Sequence, residues 1–210
     1  MQWLINTLIW LPAIIIGLTF HEYAHGRVAY WLGDDTPYYQ GRLTLNPLPH
    51  IDWVGFFMLL FFKFGWAKPV EVNPYNFRNS GVKQGMMLVS LAGPAMNLML
   101  ALTGMLILKF YGIDPGAGFS LYTNSTVLLL VGPLVYINLI LAVFNLIPLP
   151  PLDGSKILAG LLPDSGAQFM YSIEQYGPLI LLLFIITGAF GKILNPLVNI
   201  MYSLLYTAVF

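Results

Sequence analysis

Long apolar runs with almost no charge inside them dominate this chain, and they decide which solvent it folds in. The stretches 3–31, 84–110 and 127–147 each reach or exceed the roughly 18 to 20 apolar residues that cross about 30 Å of hydrocarbon. With 58% hydrophobic and only 9% charged residues, the chain has too few charges to cover such a core in water. Lipid is therefore its medium, and the fold class this predicts is an all-α polytopic membrane protein.

Nine basic residues balance nine acidic ones, so no positive surplus is present to hold nucleic acid. There are no cysteines, which excludes disulfides and thiolate metal sites and leaves His, Asp and Glu as ligands for any metal. Only three histidines are available. The first apolar stretch lacks a basic leader and a small-residue cleavage site, so it reads as a retained span.

Along the chain, 3–31 forms a first span whose far end carries His21, Glu22 and His25, and Gly33 to Pro37 break it. A polar loop GRLTLNPLPHID follows, in which the alternation of Leu43 and Leu45 predicts a short strand. The apolar run 53–66 is short for a crossing and reads as a re-entrant element, with an ordered Pro- and Asn-rich loop at 67–83 behind it. Spans at 84–110 and 127–147 are separated by a turn-rich stretch, 111–124. Beyond a proline cluster at Pro148, Pro150 and Pro151, a short helix at 155–162 and two closing spans near 176–190 and 194–210, joined by a turn at Gly191, complete the chain. The total is about five transmembrane helices plus a re-entrant or short β element in one domain, 1–210, with a core at about 1–160 and closing spans at about 176–210.

If 53–66 re-enters, Arg27, Arg42, Lys68, Arg78 and Lys83 all fall on one side, the side that stays cytoplasmic. This predicts an external N-terminus and a cytoplasmic C-terminus.

HEYAH at 21–25 is an HExxH pattern. At about 100° per residue, His21 and His25 lie about 40° apart on one helix face and can share a metal ion, with Glu22 beside His25. Ionisable groups inside an apolar span cost on the order of 3 kcal/mol each, so three in one turn need an internal partner, and a divalent cation supplies it. A catalytic zinc takes a third protein ligand and keeps one position open for water. His50 and the acidic residues are candidates; Asp153 is the best, because it follows a span that ends in the irregular, proline-broken NLIPLPPLDG at 145–154. Its alternative role is to cap the helix beginning near Ser155. Two neutral imidazoles and one carboxylate leave such a site one net positive charge, which favours hydroxide over water at neutral pH, with Glu22 able to accept the proton.

HEYAH in a first span, GPAMN at 93–97 in a middle span and NLIPLPPLDG after a later one resemble the site-2 protease family of intramembrane zinc metalloproteases. The stretches GRLTLNPLPHID and FGWAKPVEVNP are similar to its small bacterial and archaeal branch without appended domains. The resemblance covers about residues 1–160. It implies a single zinc ion per chain held by His21, His25 and Asp153, Glu22 as catalytic acid/base, and Asn145 in orienting substrate or stabilising the oxyanion; for Asn145 an interhelical hydrogen bond is the competing role. Gly93, Pro94 and Asn97 read as a helix-packing set, and His50 either as a loop residue near the site or, in preference, as a surface residue. The resemblance further implies transmembrane segments of regulatory membrane proteins as substrates, and a multi-pass protein of a prokaryotic cytoplasmic membrane with its site toward the cytoplasm. Docking of a substrate strand along 41–79 is a further expectation.

Two other classes compete. Buried His, Glu and Asp in broken helices also suit an ion or small-solute transporter, though no two related halves are visible. An inactive scaffold that binds membrane helices is disfavoured by the full set His21, Glu22, His25 and Asp153.

Overall fold

The computed structural model describes residues 2–62, 65–116 and 125–210. Lys63 and residues 117–124 of the turn-rich stretch lie outside the described residues. The chain is built on three helices: α1 (Gln2–Leu32), then, after a four-residue helix α2 (Thr36–Tyr39) and a short helix α3 (Trp53–Phe62), α4 (Val82–Phe110) and α5 (Thr126–Leu146). At 1.5 Å per residue these three run about 46, 43 and 31 Å, against about 30 Å of hydrocarbon. Their segments Thr7–Leu32, Val82–Phe110 and Thr126–Leu146 are the helices long and apolar enough to cross a membrane among the described residues. The protein is thus an all-helical, multi-pass membrane protein, with no strand among the described residues.

The three helices pack pairwise on one another. Their outward faces carry Leu91, Met99, Leu102 and Leu106 on α4 and Leu130 on α5, all exposed. Their inward faces bury His21, His25, Ser90, Asn97 and Asn138. Polar inside and apolar outside is the arrangement lipid imposes, because unsatisfied polar groups cannot face hydrocarbon. Close approach depends on small residues: a Cβ on Gly104 would lie 2.6 Å from a Val135 methyl, and one on Gly17 would lie 2.8 Å from Leu141. An apolar core of Ala101, Met105 and Leu108 with Val135, Leu139 and Val143 fills the other half of the α4–α5 interface.

Around this unit lie α6 (Asp153–Leu161), α7 (Asp164–Glu174), α8 (Gly177–Ile186) and α9 (Ala189–Val209). Helix α6 rests on α4, and α9 packs on α5 and α4 through Leu194 and Val198. Two expectations for this end are corrected. The turn between the closing helices is at Thr187–Gly188, where Gly188 adopts φ +69°, while Gly191 lies inside α9. Helix α8, with 10 residues, spans about 15 Å and is too short to cross alone.

The strand expected at Leu43–Leu45 is absent. Thr44 Oγ1 accepts from the Asn46 amide at 3.1 Å, and Asn46 Oδ1 accepts from the Leu48 amide at 3.1 Å. These side-chain turns bend the backbone and override the Leu alternation. Helix α3 is also about 15 Å long. Ile51 and Ala67 form a single antiparallel bridge, and the Lys68 amide donates to His50 O at 2.9 Å, so the chain returns from α3 to where it entered. Glycine makes the return possible: a Cβ on Gly65 would sit 2.2 Å from Gly55 O, and one on Gly55 2.3 Å from Trp66 O.

Candidate metal centre

One turn of α1 separates His21 from His25, and their Nε2 atoms lie 2.9 Å apart. Asp153 is the first residue of α6, and its Oδ2 stands 3.2 Å from each Nε2. The carboxylate arrives there because the chain leaving α5 doubles back through its prolines and presses the start of α6 onto the end of α5. A Cβ on Gly154 would come within 2.4 Å of the Leu146 and Ile147 carbonyls, so only glycine permits that approach. Leu152, not Asp153, is the N-cap of α6, and no side chain caps it. The capping alternative for Asp153 therefore falls away.

Nearby groups hold both rings. His25 Nδ1 is 2.7 Å from Val89 O, a pure acceptor, so that nitrogen carries the proton and Nε2 is left with a lone pair. His21 Nδ1 lies 2.7 Å from Asn97 Oδ1. Gly93, one turn before Asn97 on α4, lies against the rings: a Cβ there would be 2.5 Å from His21 Cε1 and His25 Nε2. Gly93 and Asn97, read in the sequence as packing residues, thus form the wall of the centre. The signal that could have found them is their i, i+4 spacing, which puts a backbone approach and an amide on one face of an otherwise apolar helix.

Two lone pairs and a carboxylate oxygen converge on one point, and Asp153 Oδ2 is buried with no hydrogen-bond partner. Three acceptors in contact repel unless a cation joins them. Around tetrahedral zinc with bonds of about 2.0 to 2.1 Å, neighbouring ligand atoms are about 3.3 Å apart. The observed edges of 2.9, 3.2 and 3.2 Å fit such an ion with small adjustment. His21, His25 and Asp153 are the group among the described residues able to hold a metal.

Glu22 Oε2 accepts from the Val70 amide at 2.8 Å. Val70 belongs to the segment returning from α3, which Arg42 fastens by donating to Lys68 O. Arg42 is buried. His50 is also buried, which corrects the surface assignment: its Nε2 donates to Thr44 O at 2.9 Å, and burial pushes its pKa down so that it stays neutral. Asn145 donates to Leu141 O, one turn back in its own helix, and no hydrogen bond joins it to His21, His25 or Asp153.

Beside the centre opens an apolar cavity of about 530 Å³. Leu18 and Thr19 of α1, Leu141 and Phe144 of α5, and His50 and Trp66 of the intervening segment are among its walls. Leu18 and Thr19 stand four and three residues before Glu22, so the cavity's wall on α1 is the helix face that Glu22 continues.

A profile of peptidase family M50 matches residues 121–187. The chain is 40% identical over 189 residues to YwhC of Bacillus subtilis, covering 89% of this chain and 84% of that protein. It is 28% identical over 186 residues to Rip2 of Mycolicibacterium smegmatis, covering 85% of this chain and 66% of the relative. A protein of Methanocaldococcus jannaschii is 30% identical over 152 residues, covering 70% and 68% of the two chains. All three carry names that propose a zinc metalloprotease. No solved structure matches the chain significantly.

Proposed function

The chain belongs to peptidase family M50, and from that premise we propose that it is an intramembrane zinc metalloprotease that hydrolyses peptide bonds in transmembrane segments of regulatory membrane proteins. The observation that carries the reading is the convergence of His21, His25 and Asp153 on one buried point inside a unit of apolar helices. One zinc ion held by these three residues supplies a Lewis acid and lets water act as a nucleophile near neutral pH.

The remaining chemistry belongs to the chain. Glu22, next in sequence to the first ligand, takes the proton from the attacking water and returns it to the leaving amine. The apolar cavity between α1, α5 and the segment 50–67 receives an unwound stretch of substrate, because a helix keeps its scissile carbonyl in a hydrogen bond until it opens. The same walls keep bulk water from the scissile bond. Asn145 is assigned to substrate orientation by rotation of its side chain away from Leu141.

Membrane placement follows the same logic. The bridge between Ile51 and Ala67 supports a re-entrant α3, which keeps Lys68, Arg78 and Lys83 on the side of Arg42 and hence cytoplasmic. The site then faces the cytoplasm from within a prokaryotic cytoplasmic membrane, in a single domain spanning 1–210. Against the transporter reading stands the near-full-length similarity to proteins named as proposed zinc metalloproteases.

The test is incubation of purified protein in detergent with a panel of transmembrane peptides, with and without chelator, reading products by mass. The expected result is cleavage within the apolar segment that stops on chelation and returns with added zinc. Cleavage that persists in the zinc-free protein, or in Glu22→Gln, would refute the assignment.

A further inference from the structure

Asn97 and Asn138 are fully buried at the meeting point of the three spanning helices, and neither is a metal ligand. Their hydrogen bonds can be read in one direction only. Asn138 Nδ2 donates to Leu134 O at 2.8 Å, and a carbonyl can only accept, so Asn138 Oδ1 is the atom turned to α4. Asn97 Nδ2 donates to that oxygen at 2.7 Å and to Gly17 O at 3.1 Å. Both hydrogens of the Asn97 amide are then used, and its Oδ1 is what faces His21 Nδ1. An oxygen there obliges His21 to carry its proton on Nδ1 and to present a bare Nε2 to the metal point. Two backbone carbonyls, one on α5 and one on α1, thus set the orientation of two amides and, through them, the tautomer of a ligand on the third contact.

We infer that Asn97 and Asn138 form a positioning relay that fixes His21 in its metal-binding tautomer, with Asn138 acting only through Asn97. His25 needs no such device, because Val89 O holds its Nδ1 directly. The relay is required at His21 because an amide reversed end for end would present its NH2 to Nδ1 and favour the proton on Nε2, where it blocks coordination. The inference rests on the metal reading above, and its experiment separates the two.

Zinc affinity is measured by competition with a chromophoric chelator on the full chain in detergent. The histidine 15N signals of the zinc-free protein are recorded beside it; with only three histidines they can be assigned by substitution. Asn97→Leu is expected to lower affinity about 10- to 100-fold, the usual range for loss of a group that orients a ligand, and to turn the His21 signals from one Nδ1–H tautomer into a mixture. Asn138→Leu is expected to do the same more weakly. The double variant should be no worse than Asn97→Leu alone, since a residue acting only through another adds nothing once that one is gone.

Gly104→Ala guards against a trivial loss of fold. Its Cβ meets Val135 at 2.6 Å, eleven residues along α4 from Gly93, so its thermal stability falls while its zinc affinity and His21 tautomer stay at wild type. Affinity that follows stability across these variants, additive losses in the double variant, or an unchanged tautomer in Asn97→Leu would each overturn the relay. A wild-type chain that takes up no zinc would remove the metal reading and the relay together, a result distinct from the others.

Discussion

Gly93→Ala adds a single methyl group, yet it is expected to abolish high-affinity zinc binding. The added Cβ would lie 2.5 Å from His21 Cε1 and His25 Nε2. Comfortable carbon contacts begin at about 3.5 Å, so roughly 1 Å must be found. Metal–ligand distances tolerate about 0.2 Å, so the movement is several times what the centre absorbs. If α4 retreats, the Asn97 and Val89 contacts that hold both rings open; if the rings turn, the three ligand atoms no longer meet. Either route points to at least about a hundredfold loss of affinity, the upper end of what one displaced orienting group causes. Two effects compete in the zinc-free protein. Alanine is favoured over glycine in a helix by about 1 kcal/mol, while overpacking costs about 1 to 3 kcal/mol, so net stability falls by no more than about 2 kcal/mol.

The control is Gly104→Ala. Its Cβ meets Val135 at 2.6 Å, a comparable clash, but it lies eleven residues further along α4, about 16 Å away. Both variants should lose similar stability in a thermal melt, and only Gly93→Ala should lose zinc in a chelator competition. Equal zinc affinities for the two would refute the claim that α4 shapes the centre through Gly93.

Glu22→Gln is expected to retain zinc and lose cleavage, whereas His21→Ala, His25→Ala and Asp153→Ala should lose both; metal content by mass spectrometry beside peptide cleavage separates the two groups. Gly65→Ala forces a Cβ to within 2.2 Å of Gly55 O, so the return from α3 is pushed outward and the cavity wall with it; cleavage should fall while zinc content stays at wild type. His50 gives a pH dependence. Burial depresses its pKa from the ordinary 6.5, as does Arg42, with Thr44 and Glu22 opposing, so the folded loop binds the proton less readily than the unfolded chain. Its contribution is complete above about pH 6.5 and declines as pH falls below that value. Amide protection in 42–52, taken relative to the intrinsic exchange rate at each pH, should therefore fall in mildly acid solution, and His50→Gln should remove most of the difference; an unaltered profile in the variant would assign the effect elsewhere.

Local pattern was enough to find the histidine pair, because HEYAH needs only one helical turn to bring His21 to His25. Asp153 was legible as a break in an apolar run, but its meeting with a residue 132 positions earlier depends on how closely Gly154 lets α6 approach α5. The role of Asn97 was hidden, since an amide in an apolar helix looks the same whether it bonds to a neighbouring helix or to a ligand. Leu43 and Leu45 misled because Thr44 and Asn46 offer the backbone a competing set of bonds. The α7–α8 break has a local signal in Gly177–Pro178, since proline has no N–H to continue a helix, but the seat of Gly177 against the Pro150–Pro151 backbone, where a Cβ would be 2.9 Å from Pro151 N, is tertiary.

The amides and imidazoles gathered between α1, α4 and α5 have a consequence for the durability of the whole protein. Hydrocarbon gives apolar helices no reason to prefer one another over lipid, so spanning segments associate through tight packing and shared hydrogen bonds. Here the groups that supply those bonds surround the metal point. Loss of the imidazoles and their supporting amides would loosen the union of the three helices, whereas loss of Glu22 alone would leave every one of those bonds in place.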